Sequence, residues 1–214
     1  MKASHVIFWF FIALMVTVFS YYFVDAAAAV YFHKVIVSHR ILWEYASNIP
    51  DLLLPIVLVI TAVCWIAYLV SVPKGLHNVH TRFLQLCGVG LPLAYAAKEL
   101  LQHTFGRANP KFWLFHRQLA GFHWFHEGAR FTSFPSGHMT VFTALAVMLW
   151  HSYPRFRAVY LAGLVILGLS LVATNYHFVS DVAAGAYLGL LACYVSDAGL
   201  NMVSGDYRLS SERN

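Results

Sequence analysis

The sequence predicts an all-α, polytopic membrane protein with six transmembrane helices and its functional site at the outer membrane face. Of its 214 residues, 60% are hydrophobic and only 11% are charged, and the mean hydropathy is +0.64. These values lie far outside the range that is usual for soluble proteins. Several apolar runs also approach the roughly 20 residues that a helix needs to cross a hydrocarbon core about 30 Å thick. The lipid bilayer is therefore the main solvent of this chain.

Six apolar runs account for the predicted spans. They cover residues 6–24, 52–72, 83–101, 136–150, 159–173 and 179–195. The first run exceeds the 7–15 apolar residues of a signal peptide, so we expect a retained helix. Charged residues and histidines recur at helical spacing over residues 28–48, which favours an interfacial helix. No repeat or linker divides the sequence, and we treat residues 1–214 as a single domain.

Basic residues predict the orientation of these spans. Seven of them fall on one side of the membrane if the amino terminus is cytoplasmic, as the positive-inside tendency requires. They are Lys2, Lys74, Arg82, Arg155, Arg157, Arg208 and Arg213. The net charge of +5 is then a topology signal. No basic cluster on a soluble fold indicates a nucleic-acid partner.

A polar and aromatic loop, residues 103–134, joins the third and fourth spans. With a cytoplasmic amino terminus this loop lies on the outer face, together with the beginnings of the fourth and sixth spans. Loops of this length are more often functional than idle. Counting spans therefore brings the segments 98–110, 135–138 and 177–181 to the same membrane face.

The fourth span begins with the tetrapeptide Pro135, Ser136, Gly137 and His138. Ser136 is placed as an N-cap, and the free amides of a helix N-terminus attract anions. His138 lies in the first turn, where its ring can reach an anion held by those amides. For the tetrapeptide alone, a simple turn with a surface histidine is about equally good as an explanation.

His177 and Asp181 are four residues apart and share one face of a helix, with about 5–6 Å between their Cβ atoms. An aspartate at that spacing can hold one imidazole nitrogen and make the other more nucleophilic. An ionisable residue so close to the hydrocarbon is a functional candidate by default. Taken alone, the pair is more often an ordinary satisfied contact.

Two cations near the outer end of the third span are candidates for binding phosphate. Arg107 stands between Gly106 and Pro110 and offers a planar guanidinium suited to bidentate phosphate contact. Lys98 lies nearby and adds positive charge. The alternative for both is a cation that extends to the lipid headgroups, which is the commoner use of Lys and Arg at membrane boundaries.

In combination, these residues resemble the type 2 phosphatidic acid phosphatase superfamily, the membrane enzymes related to vanadium haloperoxidases. The resemblance covers about residues 98–189, with residues 106–110 as the first signature and residues 133–138, SFPSGH, as an intact second signature. Ser170, His177 and Asp181 form the third. The second signature is highly specific when it opens a membrane helix.

The resemblance implies a role for each catalytic candidate. His177 is the nucleophile that forms a phosphohistidine intermediate, and Asp181 is its orienting partner. His138 is the general acid that protonates the departing oxygen. No metal and no cofactor are required.

Three cations that the resemblance leads us to expect are missing. Gln102 stands at the lysine place of the first signature, Asn109 stands at its arginine place, and Leu171 follows Ser170 where an arginine is usual. We therefore expect Arg107, Lys98 and Arg130 to supply the positive charge, with Ser136 and Gly137 completing the phosphate-binding set.

The sequence thus predicts a membrane lipid phosphatase that hydrolyses a phosphate monoester or pyrophosphate, with lipid A slightly favoured. The alternatives are an undecaprenyl pyrophosphate or phosphatidylglycerophosphate phosphatase, or a weakly active relative that binds lipid. A haem protein is disfavoured because His138 and His177 lie at the ends of their spans. A transporter is disfavoured because no paired broken helices are visible. The expected partners are a lipid substrate and the bilayer, in a bacterial inner membrane with the site facing the periplasm.

Overall fold

The structure, a computed structural model, describes residues 3–37, 53–74, 78–125 and 128–211. Within these ranges it contains helices and no strand, which confirms the all-α prediction. Eight α-helices are described. They are α1 (Ala3–Phe19), α2 (Asp25–Val37), α3 (Leu53–Ser71), α4 (Val79–Phe105), α5 (Pro110–Phe115), α6 (Gly137–Ser152), α7 (Arg157–Ala173) and α8 (Val179–Ser211).

The N-terminal helix is longer than one membrane crossing. A single π-helical turn, Ser20–Val24, joins α1 to α2 without a break. The apolar stretch Ala3–Val35 has 33 residues and is about 50 Å long at 1.5 Å per residue, well beyond a hydrocarbon core of about 30 Å. The sequence predicted a separate interfacial helix over residues 28–48. The structure instead continues the first helix to Val37, and the rest of that segment lies outside the described residues.

Three of the described helices are long and apolar enough to cross a membrane, and a fourth is apolar but shorter. The three are Ala3–Val35, Pro154–Ala173 and Val179–Met202, and the shorter one is Pro55–Ser71. The outer faces of the first two carry large apolar side chains such as Met15, which is 66% exposed, and Leu169, which is 64% exposed. Faces of this kind suit contact with lipid. The count of six spans, which requires α4 and α6 to cross as well, stays a prediction.

Glycines let α6 and α8 pack with their backbones almost in contact. A Cβ on Gly185 would lie 2.5 Å from the Ser136 carbonyl oxygen, and one on Gly189 would lie 2.2 Å from the Thr140 carbonyl oxygen. Small residues allow this close approach of membrane helices. The packing brings the beginning of α6 against the beginning of α8, where the Ser136 amide donates to the Asp181 carbonyl oxygen at 3.0 Å.

The buried core lies around α4, which packs against α3, α6 and α8. Its members are small or medium-sized apolar side chains that fill the space between these helices. They are Val57, Cys64, Leu86, Cys87, Leu91, Ala94, Val141, Ala144, Met148, Ala192 and Cys193.

Candidate active site

The three segments that span counting placed on one face are in contact in the structure. At the end of α4, the Gln102 side-chain amide donates to the Pro135 carbonyl oxygen at 2.8 Å. Arg107, just after α4, contacts Asp181 at 2.6 Å. Tertiary packing therefore joins residues from the ends of three helices in one buried cluster.

Helix α6 begins at the N-cap that the sequence predicted. Ser136 is the N-cap, and its hydroxyl accepts from the Met139 amide at 3.4 Å. Gly137 and His138 occupy the first turn, where helix geometry leaves the amides without an intrahelical acceptor. Such amides attract anions. Ser136 itself is fully buried, so in this arrangement it holds the turn in place.

Two histidines lie together beside this helix terminus. The ring centroids of His138 and His177 are 6.3 Å apart, and the Tyr176 ring contacts both, at 5.7 Å and 5.0 Å. Both imidazoles are buried, with 9% and 4% of their surface exposed. The two imidazoles are therefore near neighbours at the beginning of α6.

The hydrogen bond that His177 makes defines its tautomer. Its Nδ1 lies 2.9 Å from the Ser133 carbonyl oxygen, which can only accept. Nδ1 therefore carries a proton, and in the neutral ring the lone pair is on Nε2. The nearest oxygen of Asp181 is 3.8 Å from Nδ1, which is too long for a hydrogen bond. Asp181, the partner that the sequence suggested, thus acts on the His177 imidazole through its charge. The Ser133 carbonyl makes the hydrogen bond that orients the ring.

Asp181 is fully buried and organises the surroundings of His177. Its Oδ2 accepts from the Ser133 hydroxyl at 2.6 Å and from the Phe178 amide at 2.8 Å. Ser133 is the residue whose carbonyl orients the imidazole, so Asp181 holds the segment that in turn holds His177.

Arg107 is enclosed by two carboxylates and three aromatic rings. Its guanidinium donates to Asp181 at 2.6 Å and to Asp25 at 2.8 Å, and it also donates to the Ser180 hydroxyl at 2.6 Å. The rings of Phe178, Tyr21 and Phe122 lie 4.2, 5.0 and 5.6 Å from its central carbon.

This environment keeps Arg107 charged. Burial lowers the pKa of Arg107, but the nearby Asp181 and Asp25 carboxylates outweigh that effect and raise it above the usual value. Only 4% of the residue is exposed. Phosphate binding by Arg107 stays a prediction, and these contacts favour a role in holding the site together.

The other two predicted cations differ in their relation to the histidines. The Lys98 ammonium contacts Glu99 at 2.6 Å and the Gln102 side-chain oxygen at 3.3 Å. Gln102 in turn donates to the Pro135 carbonyl oxygen of the segment that precedes His138. Arg130 is exposed, and its guanidinium lies 5.0 Å from the centroid of the Phe112 ring. Lys98 therefore lies beside the site, whereas Arg130 lies at the surface of the loop.

Sequence reasoning missed two charged residues near this site. Lys111 follows Pro110 directly, and its ammonium lies 5.9 Å from the centroid of the Tyr176 ring, which contacts both histidines. Burial lowers the pKa of Lys111. Asp25 lies at the first position of α2 and is 3% exposed. An acidic residue at the end of a long apolar run is a functional candidate by default, and this signal could have identified Asp25.

Among the described residues, no three His, Cys, Asp or Glu side chains form a candidate metal site. The cysteines Cys64, Cys87 and Cys193 are free and buried in the helical core.

The fold and the site are those of an integral membrane protein with two buried histidines at a helix N-terminus. The chain belongs to the PAP2 superfamily, whose family model matches residues 83–200, more than half of the sequence. The match confirms the resemblance seen in the three signatures. Asp25 lies outside the matched region.

Curated relatives include lipid A 1-phosphatases from two rhizobia. The protein from Rhizobium etli is 37% identical over 92 residues, which are 42% of this chain and 39% of the relative. The protein from Rhizobium johnstonii is 36% identical over 92 residues, which are 42% of this chain and 37% of the relative. The match spans about two-fifths of the length of these relatives. Among solved structures, a PAP2 type phosphatidylglycerolphosphate phosphatase from Bacillus subtilis aligns with a TM-score of 0.48 at 21% identity, over 92% of this chain and 96% of that one.

Proposed function

We propose that this chain is a membrane lipid phosphatase that works through a phosphohistidine intermediate. The observation that carries the proposal is the pairing of His177 and His138. His177 has its Nδ1 bonded to the Ser133 carbonyl, which leaves the Nε2 lone pair for attack, and the His138 ring is 6.3 Å away at the α6 N-terminus. This proximity supports the assignment of His177 as the nucleophile and His138 as the general acid.

The reaction takes place in two steps. His177 Nε2 forms a bond to phosphorus as the bond between phosphorus and the lipid oxygen breaks, and His138 donates its proton to the departing oxygen. A water oxygen then forms a bond to phosphorus as the bond between Nε2 and phosphorus breaks, and the electron pair of that bond returns to Nε2. The neutral His138 takes a proton from the water, and inorganic phosphate leaves. General acid and base catalysis of this kind contributes about 10²–10⁴-fold.

The phosphate is held by amides and cations around the histidines. The first-turn amides of Gly137 and His138 bind its oxygens, and Lys98 and Lys111 supply charge in place of the missing signature cations. Preorganised donors of this kind stabilise the charge that develops in the transition state. Because amides and ammonium groups suffice, the reaction needs neither a metal nor a cofactor.

For the substrate we favour lipid A, and the support is the identity of about 37% to lipid A 1-phosphatases over 42% of the chain. An apolar cavity of about 250 Å³ between α1 and α8 also favours a lipid over a soluble phosphate, because Pro135 of the second signature forms part of its wall. Other residues of the wall are Phe10, Leu14, Leu101, Phe134 and Leu188. Undecaprenyl pyrophosphate and phosphatidylglycerophosphate are the alternative substrates.

The location we propose is a bacterial inner membrane, with the site at the periplasmic face. The support is the distribution of charge along α6, which begins at Gly137 beside the site and ends at Ser152, shortly before Arg155 and Arg157. Basic residues at that opposite end suit the cytoplasmic side. Cysteine labelling of intact cells at position 123 and at position 155 would test the orientation.

The decisive experiment measures phosphate release from a panel of lipids by the purified protein. The panel contains lipid A, undecaprenyl pyrophosphate, phosphatidylglycerophosphate and phosphatidic acid. We expect turnover on at least one of them, loss of turnover in His177→Ala, and a thermal unfolding profile like that of wild type. If His177→Ala keeps a tenth or more of the activity, the assignment of the nucleophile is wrong. Binding of lipid without phosphate release would identify a lipid-binding relative instead.

A further inference from the structure

The N-terminal helix contributes a carboxylate to the buried cluster behind His177. Asp25 accepts hydrogen bonds from the Ser180 amide at 3.0 Å, from the Ser180 hydroxyl, and from the Arg107 guanidinium at 2.8 Å. Every one of these groups is a donor, which suits the ionised carboxylate because it can only accept. The π-helical turn Ser20–Val24 immediately precedes Asp25, and such turns often occur at functional sites.

The charged groups of this cluster form a row from Asp25 to the catalytic histidine candidate His177. Arg107 lies between Asp25 and Asp181, at 2.8 Å and 2.6 Å, and Asp181 lies 3.8 Å from His177 Nδ1. With both carboxylates ionised, the two carboxylates and the one guanidinium give the cluster a net charge of −1. Without Asp25, the pair of Arg107 and Asp181 would be neutral.

The net charge of the cluster affects phosphoryl transfer because the His177 ring becomes a cation during the reaction. When the Nε2 lone pair forms the bond to phosphorus, the ring keeps its proton on Nδ1 and becomes a cation. The electron pair of the broken bond goes to the lipid oxygen, which takes a proton from His138. A fixed negative charge in a buried environment stabilises the cation that forms on the ring.

We infer that Asp25 is a positioning residue that keeps the cluster behind His177 negatively charged, so that phosphohistidine formation is stabilised. This inference rests on the proposed function. It assigns an active-site role to the N-terminal helix, which lies outside the region that the family model matches.

A second contact ties the same helix to the His177 segment. When the amide of Asn175 is assigned from its hydrogen bonds, it donates to the Ala29 carbonyl at 3.1 Å and accepts from the His33 amide at 3.0 Å. Asn175 is 1% exposed, and its φ of 53° lies in the left-handed region. The N-terminal helix therefore contacts the segment just before His177 as well as the cluster of Arg107, Ser180 and Asp181.

The test is a pre-steady-state burst measurement with an aryl phosphate on the purified full-length chain. Burst amplitude counts the active sites, and burst rate reports phosphohistidine formation. We expect Asp25→Asn to slow the burst about 10-fold or more while the amplitude stays within about twofold of wild type. A residue that only supported folding would lower the amplitude and leave the rate unchanged.

Asp197, which lies on α8 as Asp181 does, offers a matched control variant. Asp197 pairs with Arg82 at 2.9 Å, and both side chains are about one-third exposed. It lies about 24 Å further along α8 than Asp181, at 1.5 Å per residue. Asp197→Asn also removes a carboxylate from an arginine pair, and we expect it to leave both burst rate and amplitude unchanged.

A double variant tests the charge directly. Asp25→Asn combined with Arg107→Gln leaves Asp181 as the one charged member of the cluster and restores a net charge of −1. We expect the double variant to form phosphohistidine at least about threefold faster than Asp25→Asn alone. If Asp25→Asn does not fold, the double variant is compared with wild type, and a loss of about 10-fold or more in rate would overturn the inference.

The outcomes separate the inference from the proposed function. A burst in wild type that His177→Ala abolishes supports the phosphatase mechanism by itself. With that burst present, an unchanged rate in Asp25→Asn, or a rate that falls further in the double variant, overturns the role of Asp25. No turnover of the aryl phosphate by wild type overturns the proposed function and the inference together. If wild type turns over without a burst, phosphohistidine formation limits the rate, and kcat is compared among the same variants.

Discussion

The buried pairing of Arg107 with two carboxylates predicts that this residue matters for stability. Asp25 and Asp181 are 3% and 0% exposed, and Arg107→Ala removes the cation between them. Removing one partner of a buried ion pair costs about 3–5 kcal/mol, because the remaining charge stays buried and uncompensated. For domains of 150–250 residues, each kcal/mol corresponds to about 2–4 °C in Tm, so we expect a decrease of roughly 6–20 °C.

The buried cysteines of the protein can report its thermal unfolding. Cys64, Cys87 and Cys193 are free and buried, so a thiol-reactive fluorescent dye labels them only when the helices open. Unfolding of the detergent-solubilised protein is followed on heating with this dye. The matched control is Arg130→Ala, because Arg130 is exposed and contacts the Phe112 ring at 5.0 Å. We expect its Tm to stay within about 2 °C of wild type.

A different result would refute the argument from the ion cluster. If Arg107→Ala unfolds at the wild-type temperature but loses about 10-fold to 150-fold in activity, the guanidinium binds phosphate, as the sequence predicted. The carboxylates Asp25 and Asp181 would then tolerate burial without it, and its described hydrogen bonds would be secondary to catalysis.

The remaining predictions concern the site, its packing and its metal dependence. His138→Ala should lose far more activity on a lipid monoester than on an aryl phosphate, because an aryl leaving group needs little protonation; equal losses would make His138 a phosphate ligand. Lys111→Ala should lower kcat/KM by about 10-fold to 150-fold, while the exposed Arg117→Ala changes it little. Burial lowers the pKa of Lys111, so activity should fall as the pH rises through that lowered value. Lys111→Arg should move this alkaline limb of the pH–activity profile to higher pH. An unmoved limb would contradict phosphate binding by Lys111. Gly189→Ala should lower Tm, because its Cβ would lie 2.2 Å from a backbone oxygen. The control Gly163→Ala should not lower Tm, because nothing lies within 4 Å of its Cβ. Equal Tm values for the two variants would mean that α6 and α8 can separate at little cost in free energy. Activity should survive chelators, and a strict requirement for added magnesium or zinc would place the chain in another mechanistic class.

Composition and local motifs were enough to predict the class of this protein. Helix formation in a bilayer depends on local hydrogen bonds and on an apolar surface, and both can be recognised in a sequence. The SFPSGH segment likewise predicted an N-cap and a first-turn histidine, because capping depends on residues close in sequence. The structure has both, with Ser136 as the N-cap of α6 and His138 buried in its first turn.

The partners of the buried charges depended on tertiary packing. The spacing of His177 and Asp181 predicted their proximity, yet the imidazole bonds to the Ser133 carbonyl, 44 residues away, and not to the carboxylate. Arg107 was predicted to bind phosphate, which stays a prediction, but the sequence did not indicate that its guanidinium bonds to Asp25, 82 residues away, and to Asp181.

The physical reason is that a buried charge takes whichever partners the packed helices place within about 3 Å, and those partners come from distant parts of the chain. Helical spacing restricts which residues share a face. The crossing of α6 with α8 and the length of the N-terminal helix decide which of them meet. The sequence by itself therefore determined the membrane class and the catalytic histidine candidates, and the tertiary structure decided which carboxylates and carbonyls surround them.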